Sequence, residues 1–198
     1  MLGRSQERGL HVKHDAMTHR SAGFTLIELM IALAIFGFLL MLAGPMYGRF
    51  MADHQIRNAT DALLNGVQQA QAAAVKGNTL ARLLVDTTTG TGGWQVFQTI
   101  DGVESGVQVY TVKDGSPQAS MATVPGDARQ VTFDGFGRIV PNIDNTATLT
   151  CVKVAHALSG TRPLNVAIGI NGVAGGTKLC DPAAAAGEPQ ACPAGCKS

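Results

Sequence analysis

Residues 24–43 are twenty successive positions carrying a single charge, Glu28, and no other feature constrains the fold of this chain as tightly. As a helix rising 1.5 Å per residue the run is about 30 Å long, the thickness of a bilayer's hydrocarbon core. Leu, Ile, Met and Ala dominate it, and all are fair to good helix formers. Arg4, Arg8, Lys13 and Arg20 precede it, with no comparable cluster just behind. By the positive-inside rule the N-terminal side stays cytoplasmic and the remainder is exported.

A secretory leader fits poorly. Such leaders place small residues after a short apolar core, whereas Ala22 and Gly23 stand before this one. A plain membrane anchor leaves Glu28 unexplained. A carboxylate costs about 2.5–3.5 kcal/mol at the bilayer centre, less toward the edge, and intramembrane acids usually have a partner.

The junction Gly23-Phe24-Thr25-Leu26-Ile27-Glu28 resembles the class III leader of type IV pilins and type II secretion pseudopilins. The resemblance implies cleavage between Gly23 and Phe24 by a prepilin peptidase and N-methylation of Phe24. It also implies an assembly role for Glu28, opposite the N-terminal ammonium of a neighbouring subunit. A buried acid and a buried amine each need an opposite charge, which gives that pairing a physical basis. Residues 1–23 are then a cleaved leader. A start at Met17 would give the short basic leader Met17-Thr-His-Arg-Ser-Ala-Gly23 that is more typical of the family, and that start is the expectation. His11, His14 and His19 leave with the leader and are not read as a metal cluster.

Of the 15 Lys/Arg and 14 Asp/Glu, six precede Phe24 (Arg4, Arg8, Lys13, Arg20, Glu7, Asp15), so 11 basic residues face 12 acidic ones afterwards. A strongly basic exported domain is excluded, which weighs against nucleic acid as the main partner. The four cysteines, Cys151, Cys180, Cys192 and Cys196, all lie in the last third. An even number in an exported domain predicts two disulfides, with three connectivities open. Cys192 and Cys196 mimic half a zinc site, but no second half stands at ligand spacing.

Gly44-Pro45 should break or kink the helix, since proline removes a helical hydrogen bond and crowds the preceding turn. In the pilin resemblance this is where helix is lost on packing into a filament. Residues 24–49 are expected as the transmembrane and filament-core helix, and 50–76 as an amphipathic one. Ile56, Ala59, Leu63, Val67, Ala70 and Ala74 recur at three- and four-residue steps, a single face read as packing on a sheet rather than as a coiled-coil seam. Asp53, Arg57 and Asp61 stand at i, i+4 spacing and are expected to pair. Gly77-Asn78 closes the helix.

Beyond it, strands are predicted at 80–85, 94–100, 107–112, 131–133, 138–140, 147–155, 164–170 and 175–179. The turn signals between them are 89–93, 114–117 and Asn171-Gly172, the last favoured in type I′ hairpins. Residues 182–187 read as a loop tied down by disulfides. The fold class is α+β: a long N-terminal helix on a mainly antiparallel sheet, with residues 77–198 as a β-rich periplasmic domain.

The segments Phe133-Asp-Gly-Phe-Gly-Arg138, Arg162-Pro-Leu-Asn-Val166 and Gly175-Gly-Thr-Lys178 before Cys180 resemble the FimT/FimU and GspH branch of minor pilins and pseudopilins. In that branch a Gly-Arg-x-Arg element often precedes the cysteine; here Gly176 and Lys178 replace its two arginines. The resemblance implies a minor pilin of a type IV pilus that helps initiate assembly, serving twitching motility and adhesion. The alternative is a minor pseudopilin of a type II secretion system. Its partners would be the prepilin peptidase, other minor pilins and the major pilin (or pseudopilins), and the bacterial inner membrane, crossed once. A further alternative is DNA binding for uptake, with Lys178, Arg162 and Arg138 as candidate phosphate contacts; Lys178 brings charge without arginine's bidentate grip.

No Ser/His/Asp set, HExxH, Walker or dinucleotide motif occurs, and only His54 and His156 follow the leader. The chain reads as a non-enzyme with no cofactor and no metal. Asp101 and Glu104 could form a carboxylate pair but read better as a solvated turn, and Gly90–Gly93 as a hairpin loop.

Overall fold

The computed structural model describes residues 23–88, 90–170 and 176–197. The leader upstream of Gly23 with its Met17 start, the Asn171-Gly172 turn, Gly175 and Thr89 lie outside the described residues. The chain divides into two compact units, Met1–Leu42 and Ala43–Ser198.

Helix α1 covers Leu26–Gly77. Thr25 caps its first turn: the Thr25 hydroxyl accepts from the Glu28 N–H at 3.3 Å, and the Thr25 carbonyl accepts from the Leu29 N–H at 3.1 Å. Thr25 and Glu28 thus occupy the cap and third helical positions of a capping box, with an acid placed at the positive end of the helix. In the first unit the helix is apolar on every side, and its side chains are exposed all round, from Leu26 at 77% to Leu33 at 60%.

Among the described residues no helix taken singly qualifies as a membrane span by length and composition; two consecutive pieces, Leu26–Leu42 and Met46–Gly77, do so together. They flank Pro45. The sequence expects a break or kink at that position, since a proline there removes one helical hydrogen bond and crowds the preceding turn.

In the second unit α1 is amphipathic. Ile56, Ala59, Leu63, Val67, Ala70 and Ala74 are all 0% exposed, so the periodic stripe is the core face. The helix ends in a Schellman motif. The Asn78 N–H donates to Val75 O and the Thr79 N–H to Ala74 O, with Asn78 rather than Gly77 in the left-handed conformation (φ 48°).

Two antiparallel sheets follow. The first has the order β3-β2-β1-β5-β6, from Val103–Thr111, Gly93–Ile100, Ala81–Asp86, Gln130–Phe133 and Ile139–Val140. The second has the order β4-β7-β8-β9, from Ala119–Val124, Cys151–His156, Leu164–Ile168 and Thr177–Cys180. Register is set by alternation: Ala81, Leu83 and Val85 of β1 point inward, and Leu83 pairs with Val96 on one side and Val131 on the other. Both sheets and the α1 stripe share one core that includes Leu63, Leu83, Trp94, Phe133, Leu149 and Val154.

Three departures from the sequence-based expectation have physical causes. Strand β4 is an addition to it: half of its residues are alanine or serine, and only the alternation of Ala119, Met121 and Thr123 marks a buried face. Strand β3 starts four residues earlier than expected, because the Asp101-Gly102 turn, with both residues at positive φ, folds it straight back on β2. Strand β7 starts at Cys151 rather than 147; Thr148 makes only an isolated bridge to Gln130.

Gly66 has a specific packing role. A Cβ there would meet the Trp94 ring at 2.7 Å, so glycine on the helix is what lets the indole lie against it.

Candidate functional site

The N-terminal junction is displayed. Phe24 is 84% exposed, a Cβ added at Gly23 would meet nothing within 4 Å, and both residues precede the first helical turn. A non-helical, uncovered bond of this kind is what a peptidase needs. Glu28 lies in the first turn of α1 with an exposed side chain, and its backbone N–H is used by the Thr25 cap. Among the described residues no cation of this chain pairs with it.

The four cysteines form two bonds, Cys151–Cys196 and Cys180–Cys192, with Cα–Cα distances of 5.4 and 4.9 Å. They lie together: the sulfurs of Cys180, Cys192 and Cys196 are within 4.8 Å of one another. As disulfides they are not thiolate ligands, so this cluster is a clasp rather than a metal centre. The clasp fastens the tail to the second sheet. Asn165 Nδ2 donates to Cys196 O at 2.6 Å, Lys178 Nζ to Ala191 O at 2.9 Å, and the Asp181 N–H to Gln190 O at 2.8 Å.

The three candidate phosphate contacts are not brought together. Arg138, in the turn between β5 and β6, pairs with Asp134 at 2.8 Å and stacks over the Phe136 ring at 5.0 Å. Lys178 is committed to the tail carbonyl. Arg162 alone turns toward an open cleft, where Arg49 and Arg57 of α1 join it beside Asp53, His54 and Leu179. Arg49 and Arg57 escape a sequence reading of this site, although their spacing with Asp53 puts all three on one helix face. The expected Asp53–Arg57–Asp61 ladder does not form as ion pairs among the described residues. Asp53 instead accepts from the Arg162 backbone N–H at 2.9 Å, a fixed and well-aimed donor that a flexible side-chain pair on a wet helix face does not outcompete.

Asp101 and Glu104 are not a catalytic pair. Asp101 sits in the β2–β3 turn with φ 51°, while Glu104 receives Arg82 Nε at 2.6 Å and Nη2 at 2.7 Å. This two-pronged hydrogen bond from Arg82 holds the Glu104 carboxyl below its usual range and raises Arg82 in turn. Arg82 Nη1 also donates to Gln130 and the guanidinium stacks over Phe97 at 4.7 Å, so the cluster ties β1, β2, β3 and β5 together.

A groove along α1 has no counterpart in the sequence reading. It holds about 470 Å³ and is lined by Ala62, Asn65, Gln69 and Ala72 of α1 and by Trp94, Gln108 and Tyr110 of β2 and β3.

Residues 18–44 match the prokaryotic N-terminal methylation motif, and residues 59–172 match the type II transport protein GspH family. The chain belongs to the GspH family. Together the two matches cover the capped apolar half of α1 and the domain from residue 59 to residue 172, and they identify a type IV pilin-like protein of the GspH and FimT branch. Among solved structures, the minor pseudopilin EpsH from the Type 2 Secretion System of Vibrio cholerae is similar at 13% identity and a TM-score of 0.49, over 66% of this chain and 99% of that one. No curated protein matches the sequence. The GspH assignment agrees with the α+β architecture, one N-terminal helix followed by antiparallel sheets.

Proposed function

We propose that this chain is a minor structural subunit of a pilin-type filament, without catalytic activity and without a cofactor or metal. The observation that carries this reading is the division of α1: an apolar half exposed on all sides, followed by a half whose stripe is sealed in the domain core. A filament needs both, one part to pack among neighbours and one to hold a folded head.

On this reading residues 1–23 are removed by the prepilin peptidase at Gly23–Phe24, Phe24 is N-methylated, and Glu28 meets a neighbour's terminal amine. Residues 24–49 cross the inner membrane until assembly, 50–76 support the head, and 77–198 form the periplasmic domain. The partners are other pilins or pseudopilins. The displayed junction and the capped first turn support this, since the Thr25 cap fixes the start of the helix and with it the place of Glu28 in the first turn.

Two machines fit. The family description favours a type II secretion pseudopilus. The resemblance of residues 133–180 to FimT and FimU favours a type IV pilus, with a role in starting its assembly. Deleting the gene separates them: loss of surface pili and twitching with secretion intact supports the pilus, and the converse supports the pseudopilus. Normal piliation and normal secretion together would sink both. Complementation with Glu28→Ala should fail wherever the wild-type gene restores function.

A further inference from the structure

The cleft that Arg162 enters holds about 780 Å³, and Arg49, Arg57 and Arg162 all line it. Among the described residues none of the three pairs with a carboxylate; the ion pairs there are Arg82–Glu104 and Arg138–Asp134. Two acids share the lining, and each is engaged by backbone. Asp53 Oδ1 accepts from the Arg162 N–H at 2.9 Å, and Asp181 Oδ1 from the Ala183 N–H at 2.8 Å. The Asp53 bond also pins the β7–β8 loop to α1. In that loop Gly160, at φ 80°, presents bare backbone to Arg49, whose Nε and Cζ lie 3.5 and 3.6 Å from where a Cβ would stand. The cleft has an apolar part as well: Phe50 and Leu179 line it while remaining 59% and 38% exposed.

Its place in the chain says what lies nearby. Residues 29–48 carry no charge, so Glu28 and Arg49 bracket twenty residues, about 30 Å of helix and the thickness of a hydrocarbon core. If these residues cross the inner membrane, as proposed above, Arg49 is the first charge to emerge on the exported side, at the level of the headgroups. Tyr47 just before it is the kind of aromatic found at that level. Arginines close to a span are disfavoured on the exported side. Arg49 and Arg57, about 12 Å apart along α1, therefore stand where they gain most from an anion at the membrane surface.

We propose that this cleft takes the phosphate of an anionic phospholipid headgroup, gripped by Arg49, Arg57 and Arg162, with Phe50 and Leu179 against the lipid's carbon atoms. Guanidinium groups match phosphate oxygens with two parallel donors. A zwitterionic lipid carries its own cation, which offsets the phosphate charge and leaves less for the arginines to gain. Nucleic acid fits less well: its affinity grows with the number of phosphates neutralised, and beyond the leader 11 basic residues face 12 acidic ones. Three arginines in one cleft suit a single phosphate.

The inference rests on the membrane-spanning part of the reading above, and one experiment tells their failures apart. The full chain carries a photo-crosslinking amino acid in place of Gln190, an exposed residue of the cleft that is remote in sequence from the span, or in a control at Lys113, which does not line the cleft. It is placed in nanodiscs of equal parts phosphatidylglycerol and phosphatidylcholine, irradiated and mapped by mass spectrometry. The expected result is cross-links from position 190, and not from 113, to phosphatidylglycerol in preference to phosphatidylcholine. The yield should fall about fivefold in Arg57→Gln and again in Arg162→Gln, and hold in Arg138→Gln. Equal labelling of the two lipids, or a yield unmoved by both cleft substitutions, overturns the inference alone. So does a yield abolished by inorganic phosphate, or by duplex DNA, at the same total phosphate concentration; these assign the cleft to free phosphate or to nucleic acid instead. A chain that does not enter the nanodiscs overturns the membrane-spanning reading and this inference with it.

Discussion

The two halves of α1 are built from much the same residues and meet opposite fates. Leu33 and Leu63 are both helical leucines, yet one is 60% exposed and the other fully buried. What separates them is the company along the helix. Around Leu33 every face is apolar, so no face is singled out. Around Leu63 the stripe alternates with Asp61, Asn65 and Gln68, and a single face goes to the core. A helix apolar all round waits for a solvent or a neighbour that is equally apolar, whereas a helix with one stripe completes its own domain.

The sharpest way to break that comparison is a matched truncation. Leu63→Ala should destabilise the head by about 2–5 kcal/mol, because the deleted atoms leave a cavity in a sealed core. Leu33→Ala should leave the denaturant midpoint of the detergent-solubilised chain unchanged. Equal effects would mean that the halves are not distinct. Glycine gives a second contrast. Gly66→Ala should cost about 1–3 kcal/mol, since the new methyl meets the Trp94 ring. Gly37→Ala, with nothing within 4 Å, should stabilise the helix by up to about 1 kcal/mol in thermal melts followed by circular dichroism.

The two ends of the helix make a finer pair. Thr25→Ala removes the cap hydroxyl and should cost about 1 kcal/mol, confined to the first turn and seen as faster amide exchange there.

The smallest expected effect lies on the sheet. Glu104→Gln should cost about 0.5 kcal/mol at neutral pH, because the pair with Arg82 is partly exposed and screened. The folded-state carboxyl is depressed by Arg82, so its contribution is complete above the usual carboxylate range and fades as pH falls through the lowered folded value. The gap between wild type and variant should therefore close in acid titrations below about pH 4. A gap that widens there would contradict the assignment.

What the sequence makes legible follows the same logic. The stripe can be read because burial on a helix has a period, and the six residues picked by that period are all at 0% exposure. Strand β4 cannot, because Ala119, Ser120 and Ala122 carry little strand preference of their own and are held by pairing with β7. The cysteine pairing stays open in the sequence because four cysteines allow three connectivities, and only the approach of β7, β9 and the tail selects one. The groove beside Trp94 and Tyr110 has no sequence signal: it arises where residues far apart in the chain meet.

The disulfide clasp sets an order of events. In a chain emerging from its N-terminal end, Cys151 and Cys180 are out, on the two strands that flank β8, before Cys192 and Cys196 arrive. The first two thiols able to meet are thus a pair the finished fold does not use. Once that early bond has formed, reaching the native ones requires thiolate exchange through a mixed intermediate. Maturation of this domain is in that sense an editing problem, and an isomerase that swaps disulfides should matter to it more than an oxidant that merely makes them.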